Sequence, residues 1–306
     1  MMYYLESGSH DPGFNLALEQ YVFDRLDRAH AYCMLWQNDN AIIVGKNQNT
    51  VGEINAAYVK EHGIRVVRRL SGGGAVFHDL GNLNFTFLVP TADYDVERQL
   101  SVICTACREL GIPAKISGRN DVVVEGRKFS GNAFYQNGGR SYHHGTLLIH
   151  VDTEKMGRYL SPSKAKLEAK GVESVRSRVV NLREYRPGLT CRQMEQQLIA
   201  AFESVYGLSA EPLSPDCLDQ TYIDGLRRRN GSREWLYGPK LPFAFPARDG
   251  SPGATFCSSS RWSPARSGRP RSTPTPWIGL WPPSWSRLCQ AVPSLWTLCK
   301  AASARN

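Results

Sequence analysis

The chain has 306 residues, 42% of them hydrophobic, enough to bury the core of one large domain or two modest ones. Its net charge of +9 is uneven: residues 247–306 carry eight bases and one acid (+7), which leaves 29 bases and 27 acids (+2) for residues 1–246. A near-neutral body excludes nucleic-acid binding by bulk charge. No basic flank leads into an apolar run at the N-terminus and no run of about eighteen apolar residues occurs, so neither a secretory signal nor a membrane span is expected. The eight cysteines are scattered along the chain, which points to a reduced, cytoplasmic protein rather than a disulfide scaffold.

Phe14, Leu18, Val22 and Leu26 recur every four residues and predict an amphipathic helix from about Asn15 to Leu26. "AYCMLWQ" and "AIIVG" read as strands on either side of a turn at Asn38-Asp39-Asn40. Ile64 to Arg69 form another strand, which runs straight into a glycine tract. "NLNFTFLV" sets Leu83, Phe85 and Phe87 against Asn84 and Thr86, the pattern of a half-buried strand. Val96, Leu100, Ile103, Cys107 and Leu110 mark a second helix, closed by Gly111 and Pro113. "NDVVVEGRKFSGNAFY" gives two strands joined across Glu125-Gly126, and "GTLLIHV" continues the sheet. Thr190 with Gln193 is a capping box opening a helix that ends near Tyr206-Gly207. Strands outnumber helices and usually neighbour one another. The expected class is therefore α+β, with mixed, mainly antiparallel sheets and flanking helices, rather than a doubly wound fold.

The tract "RRLSGGGAVFHDLGN" is neither G-x-G-x-x-G nor a Walker A sequence. Consecutive glycines let backbone N–H groups approach an anion, and Arg69 carries forked donors suited to phosphate or carboxylate. A loose hairpin between two strands explains the same letters. Lys128 sits between apolar neighbours and the small pair Ser130-Gly131; taken alone it reads as a solvated strand lysine. Asp121 either holds a magnesium ion or caps a turn. Cys104 and Cys107 match a redox spacing but fall inside a helix, where two small core residues are the simpler reading. His143-His144 lacks an H-E-x-x-H context, and His78 and Asp79, as strand neighbours, point to opposite faces. Lys164, Lys166, Lys170, Arg176, Arg178, Arg183 and Arg186 form a basic stretch, either a solvated surface or a docking site for an acidic partner.

Together, "RRLSGGGAVFHDLGNLNFTF", "GRNDVVVEGRKFSGNAFY", "HHGTLLIHVD" and "KGVESVRSRVVNL" resemble the lipoate–protein ligase family, in the family's order, over residues 1 to about 245. The resemblance implies a catalytic domain of the biotin/lipoate-ligase type followed by a small C-terminal domain. It implies that lipoate and Mg-ATP give lipoyl-adenylate. The lipoyl group then passes to a lysine of an apo lipoyl domain, in a 2-oxoacid dehydrogenase complex or the glycine-cleavage H protein. On the same grounds Arg69, Gly74, Ala75, Val76 and Phe77 would contact ATP. Lys128 would touch both nucleotide and lipoate, with Ser71, Gly73 and His78 also on the lipoate; Asp121 is the candidate for Mg2+. The apolar tail of lipoate would lie against the Leu83/Phe85/Phe87 strand or its neighbours. An octanoyltransferase of related fold, or a lipoate-binding protein without catalysis, are the competing readings.

Residues 246–306 depart from the family. They hold five of the seven tryptophans, little acid, and no period of 2 or 3.6. Read in the neighbouring frame, codons permitted by this stretch yield an alternating segment and a turn, so a shift of frame at about Phe245-Pro246 is expected. The tail would then replace the small C-terminal domain. An Arg/Trp nucleic-acid site there lacks any ordered arrangement of stacking platforms.

Overall fold

The computed structural model describes residues 1–118, 120–160 and 179–238. The expected tail and its change of frame, and Lys164, Lys166, Lys170, Arg176 and Arg178 of the basic stretch, lie outside these residues.

An eight-stranded sheet forms the centre, in the order β11-β1-β2-β6-β10-β9-β8-β7. Its strands are β1 (Met2–Glu6), β2 (Ala31–Trp36), β6 (Asn82–Pro90), β7 (Lys115–Ser117), β8 (Asp121–Val124), β9 (Arg127–Asn137), β10 (Arg140–Leu148) and β11 (Ala210–Pro212). From β2 to β7 every pairing is antiparallel; β1 runs parallel to both β2 and β11. A second sheet, β4-β3-β5, joins β3 (Ala41–Val44) to β4 (Arg65–Arg68) in parallel and to β5 (Val76–His78) antiparallel. Strands 31–36 and 41–44, adjacent in sequence, thus belong to different sheets. The break falls at Asn40, which takes φ 47. The mixed α+β expectation holds.

On the back face of the central sheet, Leu83, Phe85 and Phe87 pack with Cys33, Leu35 and Leu147 against helices α4 (Val96–Glu109) and α6 (Cys191–Tyr206). The front face, with Met34, Trp36 and Thr86, meets helix α1 (Pro12–Arg25) and the small sheet. The short helices α2 (Thr50–Glu53), α3 (Ala56–Glu61) and α5 (Thr153–Tyr159) lie between, α3 and α5 packing on the small sheet; α7 (Gln220–Asn230) covers α1, and α8 (Arg233–Tyr237) ends the described chain.

Two expectations change. Strand β6 is not half-buried: Asn84 is 1% exposed and Thr86 2%, because the front face is covered as fully as the back. Helix α1 begins earlier, with Pro12 in its first turn and Asp11 accepting from the N–H of Phe14 at 2.8 Å. Nor is it amphipathic. Eleven of its 14 residues are buried, since sheet and α7 clasp it from both sides. Its last carbonyls are met by the guanidinium of Arg140, which donates to Val22, Phe23, Leu26 and Asp27.

The histidine pair of β10 splits across the sheet. His143 faces back, with Nε2 2.9 Å from the Asn132 side-chain oxygen and Nδ1 without a partner. Burial, reinforced by the charge on His144, lowers its pKa to about 3. The unfolded histidine titrates near 6.5, so between these values the unfolded state binds a proton that the native state refuses. Stability therefore falls as pH drops through this window, by about 1.4 kcal/mol per pH unit for one such histidine. Urea unfolding at a series of pH values should show this slope reduced by that amount in His143→Gln; an unchanged slope would mean that His143 is protonated in place.

Candidate active site

The glycine tract leaves β4 and is held from within. Arg69, 6% exposed, donates from Nη1 to Ile43 O (3.0 Å) and from Nη2 to Gly72 O (2.7 Å) and Gly74 O (2.8 Å), with Nε reaching Ser71 Oγ at 3.0 Å. Burial lowers its pKa to about 10, which leaves it cationic at neutral pH. The expectation that Arg69 points its fork at a ligand is thus modified: in this structure the fork braces the loop, and four of its five donor hydrogens go to loop and strand. Arg68, beside it, ties Gly45 O, Lys46 O, Gln48 O and Thr50 Oγ1 to the carbonyl ends of Trp235 and Leu236. Segment 45–48 and helix α8 are therefore anchored to the strand that feeds the loop.

The braced carbonyls point inward, so the N–H groups are left outside. Gly73 and Gly74 are exposed, Gly73 at φ 92, and among the described residues their N–H groups donate to nothing. Successive free N–H groups on a loop of this kind make an anion-binding concavity. Ala75 and Val76 are half-buried beside it. The Phe77 side chain is buried against Tyr159, with ring centroids 4.9 Å apart, so only its backbone could face a ligand. His78 lies beneath, 2% exposed, with Nδ1 3.1 Å from Asn38 Nδ2 and Nε2 unpartnered. Burial, then the charges of Arg69 and His144, lower its pKa to about 3, so it is neutral at physiological pH. Asp79 turns away to accept from the N–H groups of Gly81 and Asp152, as the opposite-face reading required.

Ser71 connects the loop to the central sheet. Its Oγ is 2.6 Å from His144 Nε2, while His144 Nδ1 is 2.7 Å from Glu19 Oε1, which also accepts from Thr86 Oγ1 at 2.7 Å. An ionised carboxylate only accepts, so Nδ1 carries a proton. Ser71 Oγ also accepts from Arg69 Nε, which joins the loop's brace to this chain of contacts. Glu19 is absent from the sequence reading, and Thr86 and Asn38 enter it only as strand and turn residues. The one local signal was Asn15 with Glu19, a polar pair at helical i,i+4 spacing inside an apolar helix.

Lys128 reaches the same face. Along β10, His144 and Thr146 share the front face, and a Cβ built on Gly131 would lie 3.8 Å from Thr146 Oγ1 and 2.8 Å from Lys128 Nζ. Lys128 and Gly131 are three apart, which in a regular strand puts them on opposite faces. A bulge intervenes: Val122 pairs with Ser130 but Val123 pairs with Lys128, so Phe129 is the extra residue and goes into the back-face core. The ammonium sits 2.7 Å from Asp121 Oδ1, each side chain about one-third exposed. Gly131, Ala133 and Tyr135 continue this half-buried strip, and Lys46 Nζ, from the segment beside the glycine loop, lies 5.6 Å from the Tyr135 ring centre.

The structure thus brings Lys128, Asp121, Ser71 and the glycine tract to one face of one sheet. It does not bring Leu83, Phe85 or Phe87 there. All three are fully buried on the back face among α4 and α6 residues, which corrects the expectation that they line a slot for an apolar substrate tail. Cys104 and Cys107 also face back; burial raises both thiols, as the core reading of that pair requires. In the basic stretch, Arg183 and Arg186 spend donors on Leu189 O and Leu110 O. Among the described residues no group of three His, Cys, Asp or Glu could hold a metal ion, and no helix is long and apolar enough to cross a membrane.

Residues 11–203 match the lipoyl protein ligase A/B catalytic domain. The chain is 42% identical over 245 residues to the lipoate-protein ligase A of Bdellovibrio bacteriovorus, spanning 78% of this chain and 72% of that protein. With the lipoate-protein ligase A of Blochmanniella pennsylvanica it shares 44% over 213 residues, 68% of this chain and 63% of the other. The LipL1 protein of P. falciparum, solved in complex with lipoate, superposes with a TM-score of 0.68 at 30% identity, over 79% of this chain and 76% of its own. A lipoate-protein ligase A solved with ATP shares the fold at a TM-score of 0.67 and 22% identity, over 78% of this chain and 98% of its own. The chain therefore belongs to the lipoyl protein ligase A/B catalytic-domain family.

Proposed function

We propose that this protein is an ATP-dependent lipoate–protein ligase. A lipoate carboxylate oxygen attacks the α-phosphorus of ATP, the bond to the β-phosphate oxygen breaks, and pyrophosphate leaves with its electron pair. The ε-amine of an acceptor lysine then attacks the acyl carbon. An amide forms, AMP departs, and the amine gives up a proton. One observation carries the reading most strongly: the Lys128 ammonium shares the front face with a loop whose N–H groups are free. Two anions brought together there repel, and a fixed cation between them offsets the repulsion where it is greatest, in the transition state. The curated relatives are named as lipoate-protein ligases, and the P. falciparum protein is solved with lipoate.

In this assignment Ser71 and Gly73 take the lipoate carboxylate end, with Lys128 shared between the two substrates and neutral His78 beneath. Gly74, Ala75, Val76 and the Phe77 backbone take the nucleotide. Arg69 serves both by holding the loop open. Mg2+ can be bound by one or two carboxylates together with substrate phosphates, and Asp121, beside Lys128, is the carboxylate we assign to it. It would neutralise phosphate charge when it arrives with ATP. The acceptor is an apo lipoyl domain, of a 2-oxoacid dehydrogenase complex or the glycine-cleavage H protein.

The competing octanoyltransferase reading needs a nucleophile, often a cysteine thiolate activated by a cationic neighbourhood such as that of Lys128. Among the described residues no thiol lies at this site: Cys33 and Cys107 are buried on the back face, and burial takes the Cys191 thiol to about 12. The deciding assay supplies the full chain with lipoate, Mg-ATP and an apo lipoyl domain, beside the same mixture with synthetic lipoyl-AMP in place of lipoate and ATP. Product in both is expected of an intact ligase. Product only with lipoyl-AMP would leave a transferase that cannot activate, the outcome expected if residues 246–306 replace a domain that activation needs. Product in neither would sink the proposal.

A further inference from the structure

We infer that Gly131 is a positioning residue: its absent side chain is the seat on which the Lys128 ammonium rests. The inference depends on the ligase reading and adds a residue to it. Gly131 is not among the residues with positive φ, so the backbone does not demand glycine at this point. Space does. Within 4 Å of a built Cβ lie Lys128 Nζ at 2.8 Å, Lys128 Cε at 2.9 Å and Thr146 Oγ1 at 3.8 Å. The last is an ordinary contact. A methyl group here would therefore meet no fixed part of the fold, only the free end of the catalytic lysine.

The seat has three sides. The bulge at Phe129 turns Lys128 to the front face, Asp121 Oδ1 holds the ammonium at 2.7 Å, and Gly131 leaves the room in which it lies. Filling that room moves the charge while leaving the sheet intact. Alanine in a strand also loses less chain entropy on folding than glycine does. Gly131→Ala should thus be as stable as the parent, or more so, and yet chemically impaired. A residue needed only for structure would show the reverse.

The test uses the full chain. Melting temperature reports the fold, and calorimetric binding of a non-hydrolysable lipoyl-adenylate analogue reports the seat whether or not the protein turns over. For Gly131→Ala the melting temperature should be unchanged or raised, and analogue affinity about tenfold lower, the loss of one charge-assisted contact. Lipoate-dependent pyrophosphate exchange, where the parent shows it, should fall about a hundredfold in kcat, as for a reacting group misplaced by about 1 Å. Adding Gly131→Ala to Lys128→Ala should weaken analogue binding no further. Parental affinity in Gly131→Ala, or a second full loss in the double variant, would overturn the inference while leaving the ligase reading untouched. Parental affinity in Lys128→Ala would instead remove the role given to Lys128.

Discussion

Replacing Lys128 by alanine is expected to lower lipoate-dependent ATP–pyrophosphate exchange by about a thousandfold while the protein stays folded. The magnitude is that of deleting one preorganised donor aimed at developing charge. Survival of the fold follows from the surroundings of Lys128. It is one-third exposed, its carboxylate partner Asp121 is equally so, and a half-exposed ion pair contributes at most about 1 kcal/mol. Transfer from synthetic lipoyl-AMP should suffer much less, because the acyl phosphate bond has already been made. Arginine should not rescue activation. Its planar fork is broader than the ammonium that rests over Gly131 and spreads the charge over three nitrogens. Exchange above about a tenth of the parent rate in Lys128→Ala would show that the charge needed for activation comes from elsewhere.

Gly45→Ala is expected to damage both stability and chemistry. Gly45 closes β3, and a Cβ built on it would collide with the carbonyl oxygen of Gly73, with Arg69 Nη2 a further 3.3 Å neighbour. Unlike the atoms around Gly131, this obstacle is backbone, and backbone that Arg69 holds in place. Relief requires the glycine loop to move away from segment 45–48, breaking the bond from Lys46 N–H to Ser71 O at 2.9 Å. Overpacking of this kind costs about 2 kcal/mol, or about 5 °C in melting temperature for a domain of this size. Exchange should fall at least about a hundredfold, since the displaced loop is the proposed anion site. A variant that melts as the parent does would mean that the two loops do not press together. The contrast with Gly131→Ala is informative: two glycine-to-alanine changes on one site, one destabilising and one not, both impairing activation.

Local chemistry was legible in the letters. Val96 to Leu110 gave its helix because the apolar period and the glycine stop agree, and Thr190 with Gln193 forms the capping box expected of it. The turn at Glu125-Gly126 is present, both residues at positive φ. Failures began where a residue's surroundings come from distant segments. The alternation in 82–90 marks two faces correctly but cannot say that both are covered; that depends on α1, which lies more than 50 residues earlier. Glu19, Ser71 and His144 meet across separations of 73 and 125 residues, so no local pattern joins them. Arg69 stood out in the sequence as a candidate site residue, yet the direction of its fork depends on carbonyls whose placement only the folded loop fixes.

The extra residue at Phe129 has a consequence for where this chain can change in length. Between the hairpin tip at 125–126 and Lys128, added residues extend an exposed turn and leave the downstream phase alone. Between Lys128 and Gly131, removing one residue restores the regular count with the amine still on the front face, but takes Phe129 out of the back-face core. A change in chain length is thus expected to be mild at the tip and to cost core packing three residues later. A protein engineer splicing a loop into this edge has a permissive address and a costly one almost side by side.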